Sequence, residues 1–247
     1  MRDAERWTPS KYVMHRGRWR ASRDPAQVGI GSRLVTDAVA ARYQQHLPRF
    51  ARGRLIDLGC GQVPLFGAYC ALVSEVTCVD WAASPHPSPH LDLEVDLSAR
   101  LPFAEAAFDT VLLSDVLEHV PAPERLWVEM ARLLAPGGHV IVNLPFLYGI
   151  HEAPHDYGRY TEFALRRFAQ NAGLKVVLLE AVGGSAEVFA DLLAKHFAQL
   201  PVIGRPLAIG LQSVVGWWGA RRSGRRFAEL SAARFPLGYF LVAQRSL

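Results

Sequence analysis

Short apolar runs alternate with helical segments along most of this 247-residue chain. Seven runs predict strands, at residues 54–59, 76–80, 91–96, 108–115, 139–145, 174–182 and 238–244. Helical spacing of apolar residues predicts helices at 34–50, 63–73, 123–134 and 161–173. Strands that alternate with helices form βαβ units, so we expect an α/β domain whose parallel sheet is covered on both faces.

Two segments fall outside this alternation. Residues 1–33 are rich in aromatic and basic side chains but lack a long period, and we expect an N-terminal arm with short helical pieces. Between strands six and seven lies an uncharged run, residues 206–220, followed by RRSGRR. This run is too short and too rich in Gly and Pro to cross a membrane, which leaves a helical subdomain over the active site or a helix lying on a membrane surface.

These observations predict two parts of the chain: an N-terminal arm with helices at 1–50, and a main domain at 51–247 with a helical insertion at about 184–235. The three cysteines (60, 70 and 78) are odd in number and have no CxxC spacing, which is typical of a reducing compartment. The charged N-terminal sequence lacks an apolar signal region, so we expect a cytoplasmic protein. Basic ends around an acidic centre leave open a nucleic-acid, phospholipid or phosphorylated partner.

The stretch RLIDLGCGQ, residues 54–62, places a tight turn at the end of the first strand. Asp57 is followed by Gly59 and Gly61, which let the backbone turn and approach a ligand without Cβ interference. The NAD-binding pattern GxGxxG fails because Pro64 stands at the third glycine position. A G-x-G alone therefore predicts a ligand-binding turn of unspecified class.

Acidic residues end the next strands as well. Asp80 ends strand two, 21 residues after Gly59, where a carboxylate suits hydrogen bonding to a ribose diol. Strand three ends at Asp96-Leu97 and strand four at Ser114-Asp115. Because ligands of such sheets bind at the carboxyl ends of the strands, we expect these side chains to surround one site.

The series LIDLGCG, CVD, EVD, FDTVLLSDVLEHV and LLAPGGHVIVNLP resembles the class I S-adenosylmethionine-dependent methyltransferases, and more closely their type 11 group. The resemblance covers about residues 51–182. It implies a Rossmann-like seven-stranded sheet in the order 3-2-1-4-5-7-6, with strand seven antiparallel.

The resemblance also implies S-adenosylmethionine as cofactor and S-adenosylhomocysteine as product. Asp57, Gly59 and Gly61 would underlie the methionine moiety, Asp80 would hold the ribose with Trp81 beside the adenine, and Ser114 would line the sulfonium end. The full implied cofactor-binding set is Asp57, Leu58, Gly59, Cys60, Gly61, Asp80, Trp81, Asp96, Leu97, Ser114 and Asp115.

The stretch HEAPHDYGRY, residues 151–160, fits the H-E-x-x-H pattern of zinc proteases. That site needs an intact helix and a third ligand; Pro154 disfavours helix at Ala153 and no third ligand follows, so we expect no metal site. The segment instead predicts a loop after strand five, beside the methyl acceptor. His151 or His155 would be the catalytic base, since histidine titrates near neutral pH.

Four further residues would bind the acceptor: His119, Asp156, Arg159 and Tyr160. The alternative is structural, with Arg159 pairing Asp156, and with Glu118 and His119 fixing the following loop.

Methyltransferases that modify exocyclic amines of nucleic acids usually carry a D/N-P-P-Y/F run after strand four. This chain reads SDVL at that position, so we expect no nucleic-acid partner. The predicted function is O-methylation of a small-molecule, sugar or lipid-linked glycan acceptor. Alternatives are methylation of RNA or of a natural-product nitrogen, an NAD-dependent oxidoreductase, and a non-catalytic cofactor binder. The basic and apolar insertion predicts peripheral contact with the inner membrane face through residues 206–226; the oligomeric state stays open.

Overall fold

The computed structural model describes residues 1–247. The strands are β1 (Tyr12–His15), β2 (Arg18–Ala21), β3 (Arg54–Leu58), β4 (Glu75–Asp80), β5 (Leu93–Glu94), β6 (Phe108–Ser114), β7 (Leu134–Pro145), β8 (Leu174–Val182) and β9 (Gly238–Arg245). The helices are α1 (Arg33–Phe50), α2 (Phe66–Tyr69), α3 (Pro123–Leu133), α4 (Glu162–Asn171), α5 (Ser185–Phe197), α6 (Gly204–Gly219) and α7 (Arg222–Ala232).

Seven strands form the main sheet, in the order β5-β4-β3-β6-β7-β9-β8. Strand β9 is antiparallel to both of its neighbours, whereas the other pairings are parallel. Counted among these seven strands alone, the order is 3-2-1-4-5-7-6. The predicted fold class is therefore confirmed.

Apolar residues alternate between two cores on opposite faces of the sheet. On β6, Val111 and Leu113 belong to the core that also holds Trp127 of α3. Leu112 points to the other core, which holds Tyr43 of α1. This period of two is what a strand buried on both faces requires.

The N-terminal segment contains two short 3₁₀ helices, Ala4–Arg6 and Ile30–Ser32, as predicted, and also an antiparallel hairpin of β1 and β2 that the sequence did not predict. Arg16 and Gly17 at its turn have φ values of 52° and 75°, as a two-residue hairpin turn requires. The hairpin packs on α1: Asp37 Oδ1 accepts a hydrogen bond from the amide of Ala21 at 2.7 Å.

Two elements are shorter than predicted. The helix predicted at 63–73 is reduced to the single turn of α2; it cannot begin at Val63, whose φ of 50° a right-handed helix excludes. The strand predicted at 91–96 is reduced to β5, which forms only the pairs Val79↔Leu93 and Asp80↔Glu94.

Helices α5, α6 and α7 occupy the chain between β8 and β9 and rest on the segment before α1. Gln212 of α6 donates to the carbonyl of Ile30 at 2.6 Å and accepts from the amide of Leu34 at 2.9 Å. Tight packing continues at Gly31, where a Cβ would lie 2.9 Å from Cγ of Lys195. None of the helices is both long and apolar enough to cross a membrane.

Candidate active site

Two cavities lie side by side at the carboxyl ends of the central strands. The larger, about 560 Å³, is bordered by the turns that follow β3, β4 and β6. The smaller, about 220 Å³, lies between the N-terminal segment, α1 and the end of β7. Asp115 and Glu152 line both cavities, and both have left-handed backbone conformations, with φ of 55° and 53°. Non-glycine residues in this region are strained, and such strain concentrates at functional sites.

The floor of the larger cavity is the glycine turn after β3. Gly59 and Gly61 have φ values of 69° and 49°. A Cβ on Gly59 would lie 2.6 Å from Cγ2 of Val116, so a larger residue does not fit there. At Gly59 and Gly61 the cavity wall therefore consists of main-chain atoms without a side chain.

Asp80 fixes this turn from the end of the neighbouring strand. Its Oδ2 accepts hydrogen bonds from the amide of Gly61 at 2.9 Å and from the hydroxyl of Ser84 at 3.0 Å. Its Oδ1 accepts from the amide of Trp81 at 2.8 Å. A carboxylate held by three donors is preorganised as an acceptor for ligand hydroxyl groups.

Of the predicted cofactor-binding residues, seven line the larger cavity: Gly59, Gly61, Asp80, Trp81, Asp96, Leu97 and Asp115. Leu58 and Cys60 are buried in the two cores, and Ser114 lines neither cavity. Asp57 also lines neither cavity and accepts a hydrogen bond from the hydroxyl of Tyr69 at 2.9 Å. Burial raises the pKa of Asp57 to about 7.

Asp115 stands at the boundary between the cavities with both oxygens occupied. Oδ2 lies 2.7 Å from Nζ of Lys11, and Oδ1 accepts from Nδ2 of Asn143 at 2.6 Å. The ammonium group reaches this point from the residue before β1. A carboxylate paired on both oxygens is a poor candidate for a base.

The segment 151–160 is a loop without helix, as predicted. Arg159 and Asp156 form a bidentate pair, with distances of 2.6 and 2.8 Å, and Arg159 also donates to the carbonyl of Gly149 at 3.1 Å. The side chain of Tyr160 packs edge-on against Phe168. Asp156, Arg159 and Tyr160 line neither cavity, so in this structure they hold the loop, as the structural alternative predicted for the Arg159 pair.

The two histidines of the loop have different surroundings. His155 lines the larger cavity, where its ring lies edge-on to Trp81 at 5.0 Å between centroids. His151 lines the smaller cavity and lies next to the fully buried Glu118, with 3.7 Å between Nε2 and Oε1. Its Nδ1 lies 3.2 Å from the carbonyl oxygen of Gly149 and 3.5 Å from Nη2 of Arg159, and the shorter contact suits a proton on Nδ1.

The buried Glu118 has no hydrogen-bond partner on either oxygen. Burial raises its pKa, while Glu118 in turn raises the pKa of His151 above its ordinary value. Oε1 also lies 3.8 Å from Nε2 of His119, whose Nδ1 is bonded to the carbonyl of His155. One ligand atom from each of Glu118, His119 and His151 lies within 4.8 Å of the others, so these groups could share a metal ion, which the sequence did not suggest. Of the two histidines in the H-E-x-x-H match, this cluster contains His151 alone.

Lys11, Glu118, Asn143, Tyr148 and Glu152 are site residues that the sequence reasoning did not include among its candidates. Glu118 lies inside the DVLEHV motif, which offered a signal. Lys11 lies in the N-terminal arm and belongs to no motif, so only the fold of the hairpin brings it to the site.

Residues 56–142 match the family described as methyltransferase domain, type 11. A similar relative is the ubiquinone biosynthesis O-methyltransferase of Burkholderia pseudomallei strain 1710b, 28 % identical over 180 residues, or 62 % of this chain and 74 % of the relative.

Solved structures share the fold. The [4+2]-cyclase SpnF is 21 % identical, with a TM-score of 0.54, over 86 % of this chain and 83 % of that one. The phosphoethanolamine N-methyltransferase 2 of Haemonchus contortus, solved with phosphomonomethylethanolamine and S-adenosylhomocysteine, is 13 % identical, with a TM-score of 0.53, over 91 % of this chain and 58 % of that one. The sheet order, the glycine turn with its strand-end acids and the family match agree: residues 56–142 of this chain match a methyltransferase domain, and the chain is similar to the type 11 group of class I S-adenosylmethionine-dependent methyltransferases.

Proposed function

We propose that the protein methylates a hydroxyl oxygen of a small acceptor, with the methyl donor in the larger cavity and the acceptor in the smaller one. The observation that carries this proposal is the pair His151–Glu118. It lines the smaller cavity, which shares Asp115 and Glu152 with the larger. A base and a methyl donor would thereby meet at one boundary.

The larger cavity suits S-adenosylmethionine. The turn at Gly59 and Gly61 borders it, and Asp80 offers a fixed carboxylate for ribose hydroxyls. Asp96, Leu97 and Trp81 border the same space and suit the adenine end. When bound, the cofactor supplies a methyl group activated on a sulfonium and leaves as S-adenosylhomocysteine. The chain itself then needs to orient the acceptor and remove its proton.

His151 is the proposed base. With Nδ1 directed to the carbonyl of Gly149, Nε2, which faces Glu118 at 3.7 Å, is the nitrogen that would take the proton of the acceptor hydroxyl. The negative charge of Glu118 stabilises the imidazolium that results. His155 is the weaker candidate, because it borders the larger cavity and bonds Tyr157 through Nδ1 at 3.0 Å.

Oxygen is the acceptor atom that this arrangement favours. A hydroxyl group is a poor nucleophile until it loses its proton, so it profits from an adjacent base. The similar relatives are named O-methyltransferases, which agrees with this choice. A cavity of about 220 Å³ has room for a single substituted ring, so in a glycan or lipid-linked acceptor the reacting ring alone would enter it.

Peripheral membrane contact through the insertion is part of the proposal. Helices α5 to α7 and their connections expose large apolar side chains, namely Phe189, Val202, Ile203, Val214, Trp217 and Leu230. Four exposed arginines accompany them: Arg221, Arg222, Arg225 and Arg226. The guanidinium of Arg221 stacks on Trp217, 3.1 Å from the ring centroid. Apolar side chains beside arginines suit the headgroup region of an anionic membrane.

Vesicle flotation tests the membrane contact. We expect the protein to float with phosphatidylglycerol vesicles, to be released by high salt, and to stay behind with phosphatidylcholine vesicles. Trp217→Ser combined with Arg221→Ser should abolish flotation, whereas Met14→Ser, at an exposed apolar position on β1, should not. Equal recovery with both vesicle types, or none with either, would refute the contact.

The test of the catalytic proposal is S-adenosylhomocysteine release with a panel of phenolic, sugar, lipid-linked, amine and RNA acceptors. We expect turnover with hydroxyl acceptors. Turnover confined to amines would reject oxygen as the methylated atom, and turnover confined to RNA would reject a small acceptor.

A further inference from the structure

We propose that Lys11 binds the reacting oxygen of the acceptor and stabilises it as an anion. This role rests on the proposed acceptor site in the smaller cavity. It assigns to the N-terminal segment a direct part in activating the nucleophile.

Lys11 has a donor to spare. Its Nζ lies 2.7 Å from Oδ2 of Asp115, which uses one of the three N–H bonds of the ammonium. About a third of its side chain remains exposed (37 %), and the residue lines the smaller cavity. A second N–H can therefore reach a ligand in that cavity.

The Asp115 pair also places the ammonium at the correct point. Asp115 borders both cavities and is held on its other oxygen by Asn143. Nζ therefore lies where the two ligands meet. Burial lowers the pKa of Lys11, but Asp115, together with Tyr12 and Tyr148, more than offsets this and raises it above the ordinary value, so that Lys11 stays a cation.

Lys11 is the only lysine or arginine that lines either cavity. The other titratable groups around the smaller cavity are the acids Asp115, Glu118 and Glu152, with Tyr12, Tyr148 and His151. An oxyanion formed there would face three carboxyl groups. A cation within a few ångströms offsets that repulsion, and the effect is larger in a cavity than in bulk water.

Lys11 keeps all of its protons during methyl transfer. The acceptor O–H proton goes to Nε2 of His151, and the oxygen electron pair forms the bond to the methyl carbon. The bond from sulfur to that carbon breaks, and its electron pair stays on sulfur. Lys11 donates a hydrogen bond to the oxygen until the new bond removes its charge.

The experiment uses 4-nitrophenol, whose ionisation changes its absorption spectrum, bound to the full chain with saturating S-adenosylhomocysteine. We expect wild-type protein to bind the phenolate about tenfold more tightly than the phenol, which lowers the pKa of the bound probe by about one unit. Lys11→Met should abolish this preference and Lys11→Arg should retain most of it. Lys175→Met, at an exposed lysine of β8, should behave as wild type.

A second variant distinguishes binding of the anion by Lys11 from a purely structural role of Lys11 as the partner of Asp115. Lys11→Met leaves Asp115 with one unpaired oxygen, so Lys11→Met combined with Asp115→Asn removes that charge. The phenolate preference must be absent from this variant too, while saturable binding of S-adenosylhomocysteine shows that its fold is retained. The proposal is overturned if wild type binds phenol and phenolate equally, if it does not bind the probe, or if Lys11→Met keeps the preference. If wild-type protein transfers no methyl group but still prefers phenolate in a Lys11-dependent manner, the proposed function is rejected and this anion site stands.

Discussion

The two cavities are built in different ways. The larger is formed mostly by short turns directly after β3, β4 and β6, so each of these lining residues is placed by the strand that it follows. The smaller draws on segments as far apart as Lys11, Val35, Asn143 and Leu237. The turn after a strand suffices to place a cofactor ligand, whereas the acceptor site depends on how distant parts of the chain pack.

The largest expected effect separates chemistry from cofactor binding. His151→Ala should lower kcat by about 10²- to 10⁴-fold, the usual contribution of a general base, with the affinity for S-adenosylmethionine nearly unchanged. Steady-state kinetics and titration calorimetry measure the two quantities. His15→Ala, at an exposed histidine on β1, is the control. Equal losses in kcat and cofactor affinity would place His151 in the cofactor site instead.

Asp80→Ala should act on the other cavity alone. It removes the acceptor of the Gly61 and Ser84 hydrogen bonds, and of the expected ribose contacts. We expect S-adenosylmethionine affinity to fall by about 100-fold, since hydrogen bonds to a charged group contribute about 1.5–3 kcal/mol. Calorimetry measures this against Glu75→Ala, an exposed acid at the opposite end of β4. Unchanged affinity would refute the assignment of Asp80.

Glu118→Gln should change the pH dependence of turnover. The base must be neutral, so turnover rises with pH along a limb set by the pKa of His151, which Glu118 raises. Without that carboxylate the pKa of His151 falls, so the limb moves to lower pH. The plateau should fall by about tenfold because the imidazolium is less stabilised.

The measurement is the pH profile of kcat for wild type, Glu118→Gln and the exposed control Glu124→Gln. If the rise of kcat with pH in Glu118→Gln stays in place or moves to higher pH, Glu118 does not raise the pKa of the catalytic base.

The smallest expected effect is that of a chelator. If His151 acts as a base and the cluster with Glu118 and His119 holds no ion, dialysis against EDTA should change turnover less than twofold. Loss of activity that Mg²⁺ or Zn²⁺ restores would assign the cluster to a metal.

The contrast between the cavities also explains what the sequence could predict. The strand-end acids followed from local pattern and the strand order from the family resemblance, and Asp80 lies at the predicted edge. Asp57 carries the motif but turns away to Tyr69, because alternate strand residues face opposite sides. Lys11 could not be found from sequence, because its position depends on a hairpin with no long-range signal.

The most direct test that the larger cavity binds the cofactor and the smaller one the acceptor is a crystal structure with S-adenosylhomocysteine and 4-nitrophenol. We expect the nucleoside product in the larger cavity, with its ribose hydroxyls on Asp80. We expect the phenol in the smaller cavity, with its oxygen between Nζ of Lys11 and Nε2 of His151. A nucleoside in the smaller cavity, or a phenol oxygen remote from both side chains, would contradict this assignment of the two cavities.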